Sequence, residues 1–307
     1  MVEISFTKMH GCGNDFIFLD CLNGEIGDLG GVAKRLCDRR FGIGADQLLT
    51  VHPSKIADFK MEIYNADGGQ VEMCGNGIRC FAKYVYDHGL TKKKELEVET
   101  LGGIIRPRLR GNEVEVDMGE PILEGRKIPV NADGKIINYP LEVDGKTYQV
   151  SCVSMGNPHC VLYLDDLDHL DLEKIGPRFE HHLFFPKRVN TEFVQVLGPH
   201  EVRVRVWERG AGETWACGTG ACAVGVAGSL IGKTEKKVTV HLRGGDLLIE
   251  WRENNHVYMT GGAEEVFHGA KVIEHLEPKP GRPFGVSDNV YITPDVFVVK
   301  IEGKYAV

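Results

Sequence analysis

Apolar positions along this chain fall into short runs broken by polar turns, and one succession of runs occurs twice. Glu3–Lys8 and Tyr148–Ser154 each predict a strand. A polar turn follows, Gly11-Cys12-Gly13-Asn14-Asp15 in the first case and Gly156-Asn157-Pro158-His159 in the second, and then another apolar run. Further on, Lys60–Tyr64 and Val202–Trp207 alternate as strands do, with Val202, Val204 and Val206 on one face. Both lead through a glycine-containing loop, Gly210–Ala216 in the second case, into a Cys-Gly-x-Gly turn. These turns are Cys74-Gly75-Asn76-Gly77 and Cys217-Gly218-Thr219-Gly220, and helical sequence follows each, over Ile78–His88 and Ala221–Ile231. Both helices are apolar nearly all round, which predicts that they are buried.

The two successions are in register at an offset of 217 − 74 = 143 residues. The same offset carries Asn14 onto Asn157, Gln47 onto Asn190, Asn65 onto Glu208, Gly69 onto Gly212 and Gly119 onto Gly262. Residues of about 2–121 thus match about 145–264, with a one-residue slip where Leu101-Gly102-Gly103 meets Arg243-Gly244-Gly245. The expected fold class is α/β of the α+β type. Two pseudo-twofold-related domains are expected, each a curved, mostly antiparallel sheet around a central helix whose amino end carries a cysteine. The expected boundaries are 1–120, carrying Cys74 and joined by part of 265–307, and 121–264, carrying Cys217. Within the segment outside the repeat, Tyr291–Val299, interrupted by Pro294, reads as an edge strand or a partner contact.

Length and composition narrow the function. A chain of 307 residues suits two domains of ordinary size. The formal net charge is −8, with basic residues scattered apart from Lys92–Lys94, a poor match to nucleic acid or an anionic membrane. No segment approaches the roughly 20 apolar residues of a membrane span. The amino-terminal stretch has no basic region followed by a long apolar run, so no secretory signal is expected. Nine cysteines, an odd number without framework spacing, favour reduced thiols and a cytoplasmic location.

A cysteine at a helix start feels unpaired backbone N–H groups and the helix dipole, both of which favour thiolate. The neighbouring glycines let the backbone approach a ligand, and the exposed N–H groups suit a carboxylate. Two such turns facing one another would hold an amino acid's carboxylate and present sulfur to both faces of its α-carbon. Each donor of this oxyanion-hole kind is worth roughly 3–4 kcal/mol, so several are needed before a thiolate can remove so weakly acidic a proton. Cys21, Cys37, Cys80, Cys152 and Cys222 read instead as small hydrophobes, as do Cys12 and Cys160, whose repeat partners are Met155 and Ile17. Gly218-x-Gly220-x-x-Ala223 follows a loop rather than a strand, which argues against a dinucleotide site. His10, Cys12, His159, Cys160, His181 and His182 form no metal-ligand spacing, and no lysine motif suggests pyridoxal. No metal and no cofactor are therefore expected.

At these residues the chain resembles the diaminopimelate epimerases, cofactor-independent amino-acid epimerases of lysine and cell-wall biosynthesis. The resemblance runs to about residue 270, through Met9–Phe16, Tyr64–Gly68, Met73–Gly77, Gly156–His159, Glu208–Gly210 and Ala216–Gly220. Proline racemases and hydroxyproline epimerases are similar, but their first cysteine motif continues Gly-His-Gly where this chain has Gly75-Asn76-Gly77. The resemblance implies that Cys74 and Cys217 exchange the roles of base and acid. It also implies that Gly75, Asn76, Gly218 and Thr219 offer backbone donors to the substrate carboxylate. Asn14, Gln47, Asn65, Asn157, Asn190, Glu208 and Arg209 match the family's substrate-contacting positions. Arg209 suits a distal carboxylate and Glu208 an ammonium. The implied reaction is the cofactor-independent interconversion of LL- and meso-2,6-diaminopimelate, a small-molecule amino-acid substrate, and the tail beyond about residue 271 is either an extension or a homodimer contact.

The repeat also fails informatively. His159 aligns with Phe16 and Glu208 with Asn65, so the second half carries two titratable groups that the first lacks. Opposite protonation of two thiols needs unlike surroundings, and His159 and Glu208 are the expected pKa-tuning residues. Three other readings use the same residues: racemisation of another amino acid such as proline or hydroxyproline, a dithiol redox pair, and a non-catalytic amino-acid binding module. No CxxC unit or resolving partner supports the redox reading.

Overall fold

The computed structural model describes residues 2–24, 26–273 and 298–300. The chain forms two compact units, one of Met1–Arg110 with the segment from Ala263, the other of Gly111–Gly262. The first contains β1 (Val2–Gly11), β2 (Asn14–Asp20), α1 (Leu29–Leu36), β3 (Gln47–His52), β4 (Phe59–Asn65), β5 (Gln70–Val71), α2 (Gly75–Asp87), β6 (Val98–Thr100), β7 (Gly103–Ile105) and β8 (Pro107–Arg110). The second contains β9 (Glu113–Asp117), β10 (Tyr139–Val143), β11 (Lys146–Ser154), β12 (Pro158–Tyr163), α3 (Leu172–Glu180), β13 (Asn190–Gly198), β14 (Glu201–Glu208), β15 (Gly212–Thr214), α4 (Gly218–Leu230), β16 (Lys237–Leu242), β17 (Gly245–Trp251) and β18 (Val257–Gly262). The chain then returns to the first unit as β19 (Glu264–Ile273), and β20 (Val298–Lys300) follows.

In the first unit the strands run β20-β19-β1-β2-β3-β4-β6-β7. Neighbours are antiparallel except for β2–β3 and β4–β6. The strands form where apolar residues alternate: Phe59, Met61 and Ile63 of β4 point into the core, while Lys60, Glu62 and Tyr64 between them stay partly exposed. β19 pairs along β1 from Val2 opposite Ile273 to His10 opposite Glu264. Helix α2 packs on β1, β3, β8 and β19, burying Ile78, Phe81, Ala82 and Val85.

The second unit repeats this order. Its strands run β10-β11-β12-β13-β14-β16-β17-β18-β9, antiparallel except for β12–β13 and β14–β16. Helix α4 packs on β11, β12, β13, β16, β17 and β18 and is buried over Gly220–Gly228. Each unit is thus a mostly antiparallel sheet around a central helix, as the sequence predicts.

Three details differ from the pattern reading. The central helices begin at Gly75 and Gly218, three residues earlier than the apolar sequence suggests. Glycine disfavours a helix, but the cysteine cap described below fixes that first turn. The loop Gly210–Ala216 contains a short strand, β15, paired with β14. The chain leaves the first unit at Arg110 rather than near residue 120, because β9 pairs with β18 from Glu113 opposite Gly262 to Asp117 opposite Tyr258. Of Tyr291–Val299, only Val298 and Val299 are described, in β20 beside β19; Pro294 and the remainder of the tail lie outside the described residues.

Small residues let α4 sit close to its sheet. A Cβ at Gly225 would lie 2.7 Å from Ile249 Cγ2 and 3.4 Å from Val238 Cγ1. Gly225→Ala should therefore destabilise the fold by about 1–3 kcal/mol through overpacking. Helix propensity alone would make it more stable by about 1 kcal/mol. Urea unfolding decides the sign.

Candidate functional site

In the first unit Cys74 is the N-cap of α2, with extended backbone (φ −138°, ψ 120°) and its sulfur accepting the Gly77 N–H at 3.4 Å. The thiol donates to Asn14 Oδ1 at 3.6 Å, which also accepts from Asn76 Nδ2 at 3.4 Å. Asn14 is oriented from behind, because its Nδ2 donates to Asp46 Oδ2 at 2.8 Å. Asp46 is in turn bonded by Arg39, which also clamps Asp15. Gln47 and Asn65 are register partners on β3 and β4, joined by Gln47 Nε2 donating to Asn65 Oδ1 at 2.8 Å. Gln47 Oε1 and Asn76 Oδ1 are buried acceptors without a hydrogen-bond partner among the described residues. Arg79, fully buried on α2, donates to the Gly75 carbonyl at 3.3 Å and lies 3.5 Å from Cys12 Sγ.

In the second unit Cys217 is the N-cap of α4 (φ −123°, ψ 110°), and its sulfur accepts the Gly220 N–H at 3.4 Å. The Thr219 hydroxyl lies 3.4 Å from the same sulfur. Burial pushes this thiol well above its ordinary pKa, and the carboxylates of Glu208 and Glu192 push the same way. The Thr219 and Gly220 hydrogen bonds oppose them. Cys217 is therefore held as a thiol. Glu208 accepts from Thr214 Oγ1 at 2.6 Å. His159 is fully buried: Nδ1 is 2.7 Å from Glu192 Oε1 and Nε2 is 3.0 Å from Asn157 Oδ1.

Asn190 spends its amide on the backbone, donating to Pro158 O at 3.0 Å and accepting from Arg209 N at 2.8 Å. It thereby holds the Arg209 loop. Glu180 holds the same loop from α3, accepting from Trp207 Nε1 at 2.8 Å, Gly210 N at 2.9 Å and Arg188 Nη1 at 3.2 Å.

Asp15, Arg39, Asp46, Arg79, Glu180 and Glu192 escaped the sequence reading. Most of their roles depend on partners more than twenty positions away, which no local spacing reveals. Repeat arithmetic could have flagged Glu192 and Arg79, since they stand where the other half has Leu49 and Cys222. Among the described residues, His159, Glu192 and Cys217 offer a nitrogen, oxygen and sulfur within 4.8 Å of one another. That donor set is of a kind zinc uses. Here His159 Nδ1 and Glu192 Oε1 are hydrogen-bonded to each other.

Comparison with known proteins shows the family. The family model for diaminopimelate epimerase matches residues 6–124 and 151–266. A diaminopimelate epimerase of Moorella thermoacetica is 56% identical over 272 residues, covering 86% of this chain and 98% of that protein. The chain belongs to the diaminopimelate epimerase family. One from Acetivibrio thermocellus is 56% identical over 278 residues, covering 88% of this chain and 99% of that protein. A second family model, for the sigma-54 factor core-binding domain, matches residues 259–307, whose described part is strand in β18, β19 and β20. A PhzF-family phenazine biosynthesis protein of Bacillus anthracis superposes with a TM-score of 0.66 at 15% identity, over 89% of this chain and all of that one (100%). A hydroxyproline epimerase of Agrobacterium vitis gives 0.60 at 12% identity, over 87% of this chain and 92% of that one. At these identities the diaminopimelate epimerase family shares its fold with these proteins, and nothing more is implied. No helix among the described residues is long and apolar enough to cross a membrane.

The supports behind Asn14 give a pH prediction. Burial alone would raise the Asp15 carboxyl, but hydrogen bonds from Arg39 and Lys8 outweigh it and hold the pKa at about 2, against 3.8 ordinarily. The folded form thus binds this proton more weakly than the unfolded chain. The resulting stability, about 2 kcal/mol, is present above pH 4 or so and is lost as pH falls towards 2. Asp15→Asn should lower stability at neutral pH by that order and flatten the acid limb, read from urea midpoints across the range.

Proposed function

We infer that this chain interconverts LL- and meso-2,6-diaminopimelate by moving a proton on and off one α-carbon, with Cys74 and Cys217 as the two proton-carrying groups. The observation that carries the inference is 56% identity to diaminopimelate epimerases across nearly their whole length. The built surroundings of both cysteines support it. One thiolate removes the α-proton and the other thiol supplies a proton to the opposite face. Cys217, held as a thiol, serves as the acid in the direction in which Cys74 is the base.

The remaining roles belong to the same proposal. Backbone N–H groups of Gly75, Asn76, Gly218 and Thr219 at the two helix starts receive the carboxylate of the reacting centre, where negative charge builds. Asn14, Gln47, Asn65 and Asn157 contact the substrate, and the unpartnered oxygens of Gln47 and Asn76 suit an ammonium donor. Arg209, steadied by Asn190, takes the distal carboxylate; Glu208 takes an ammonium and tunes Cys217 together with His159. The chemistry needs no metal or organic cofactor, and a biosynthetic enzyme with these reduced thiols belongs in the cytoplasm.

The test is solvent-deuterium incorporation at the α-carbon, assayed with LL- and meso-diaminopimelate, proline and hydroxyproline. Exchange should occur with the two diaminopimelates only. Cys74→Ser and Cys217→Ser should each cost about a hundredfold or more in kcat. Exchange into proline instead would transfer the function to another racemase reaction. Undiminished exchange in either serine variant would remove that cysteine from the mechanism.

A further inference from the structure

The duplicated units differ most sharply in what stands behind the capped cysteine. In the first unit a Cβ on Gly77, the third residue of α2, would meet Leu49 Cδ2 at 3.2 Å. In the second unit a Cβ on Gly220, the repeat partner of Gly77, would meet Glu192 Oε1 at 2.6 Å. Leu49 and Glu192 are repeat partners, as are Phe16 and His159. The same two positions therefore hold a buried Phe–Leu pair in one unit and a fully buried His–Glu pair in the other. An apolar pair packs well there, so the fold does not require the polar one.

The hydrogen bonds fix how many protons the polar pair carries. Asn157 Oδ1 can only accept, so His159 Nε2 bears a proton. A second proton must lie in the 2.7 Å contact between Nδ1 and Glu192 Oε1. Whether it resides on nitrogen or oxygen, the pair holds two protons and is neutral overall. A nitrogen of this imidazole, a Glu192 oxygen and Cys217 Sγ all fall within 4.8 Å. Glu192 Oε2 is buried without a hydrogen-bond partner among the described residues, so His159 provides the hydrogen bond that Glu192 makes there.

We propose that Glu192 is a positioning residue: through the buried hydrogen bond it holds the His159 ring, and the proton shared between them, beside Cys217 for the moment when that thiol ionises. The proposal rests on the reading of Cys74 and Cys217 as the proton carriers. It explains how a thiol that burial and two carboxylates hold protonated can still serve as base when the reaction runs the other way. An imidazolium within a few ångströms favours thiolate, and a carboxylate hydrogen-bonded to the ring favours imidazolium. Glu192 is fully buried, and beside the direct effect of its carboxylate on Cys217 it acts through His159.

Other titratable groups near this pair have partners of their own or stand with Cys217. Glu208, on β14, acts on Cys217 directly. Cys160, beside His159 on β12, is kept a thiol by burial and its contact with Cys152 of β11. On the remaining strands against α4, Lys237 pairs with Glu250 at 2.9 Å and His241 with Asp246 at 2.8 Å. Lys146 of β11 lies over the Tyr148 ring at 4.9 Å. None of these groups is hydrogen-bonded to His159 or Glu192 in the contacts above.

The experiment compares pH profiles of kcat and kcat/KM for Glu192→Gln, Glu192→Leu, His159→Phe and the double variant His159→Phe/Glu192→Leu. The double variant installs the side chains that pack at these positions in the first unit, so it should fold, which thermal melting checks. With the carboxylate gone, the charged partner that shares the proton in the 2.7 Å contact is lost. The alkaline limb should then move down by about one to two pH units in both single Glu192 variants. KM should stay within about twofold, as expected for a residue that does not bind substrate. Glu192→Leu should shift the limb less once His159 is already Phe, since most of the effect passes through the imidazole. An unshifted alkaline limb in both Glu192 variants would overturn the proposal, as would a full-sized Glu192→Leu effect in the His159→Phe background. The two-thiol reading fails separately, by retained α-deuterium exchange in Cys217→Ser, whatever the Glu192 variants do.

Discussion

A sulfur atom in the N-cap position of a buried helix is the constraint from which the rest of each unit follows. Both cysteines keep extended backbone while the next residue turns helical, and both sulfurs accept the N–H of the third helical residue at 3.4 Å. The cap works only if that third residue leaves room. A Cβ on Gly77 would stand 3.3 Å from Cys74 Cβ, and one on Gly220 would stand 3.2 Å from Cys217 Cβ. Glycine at this point costs roughly 1 kcal/mol of helix propensity relative to alanine. The capped turn and the burial of the helix behind it offset that cost. Sulfur, unpaired N–H groups and the positive end of the helix dipole consequently meet at one point in each unit.

Strand topology gathers the remaining polar residues at that point. β2 and β3 run parallel and begin with Asn14 and Gln47, while antiparallel β4 ends with Asn65. Side chains that start two strands and finish a third necessarily share one end of the sheet. The second unit repeats the device, with Asn157 just ahead of β12, Asn190 opening β13 and Glu208 closing β14. Here the shared plan has diverged in use. Asn14 faces a thiol, whereas Asn157 faces an imidazole and Asn190 braces a loop.

What could be read in the chain was whatever had left a repeated or local trace. The 143-residue register exposed the cysteines, the polar strand ends and the division into two similar halves, because duplication marks a position twice. Strand alternation in β4 and β14 was legible for the same local reason. The true helix starts were hidden, since glycine signals a turn until the capping bond is seen. Asp46, Glu180 and Glu192 were hidden more deeply. A lone acidic residue has no meaning until its partner is known, and those partners lie 32, 27 and 33 positions away.

Duplication creates a difficulty that only divergence removes. Two identical half-sites would hold two thiols at equal affinity for the proton, and neither state of the pair would be preferred. The deviations are therefore expected close to the sulfurs, and they are found there. The first unit places a fully buried guanidinium, Arg79, against the Gly75 carbonyl, where the second has Cys222. The second places the Glu208 carboxylate near its thiol, where the first has Asn65, and a His–Glu pair where the first has Phe16 and Leu49. Charges of opposite sign thus accompany the two helix starts. Burying such groups generally costs stability that an apolar pair would not, as Phe16 and Leu49 illustrate at the equivalent positions. A fold that accepts this cost beside one cysteine of a matched pair is differentiating the two, and a proton can then have a definite place to start.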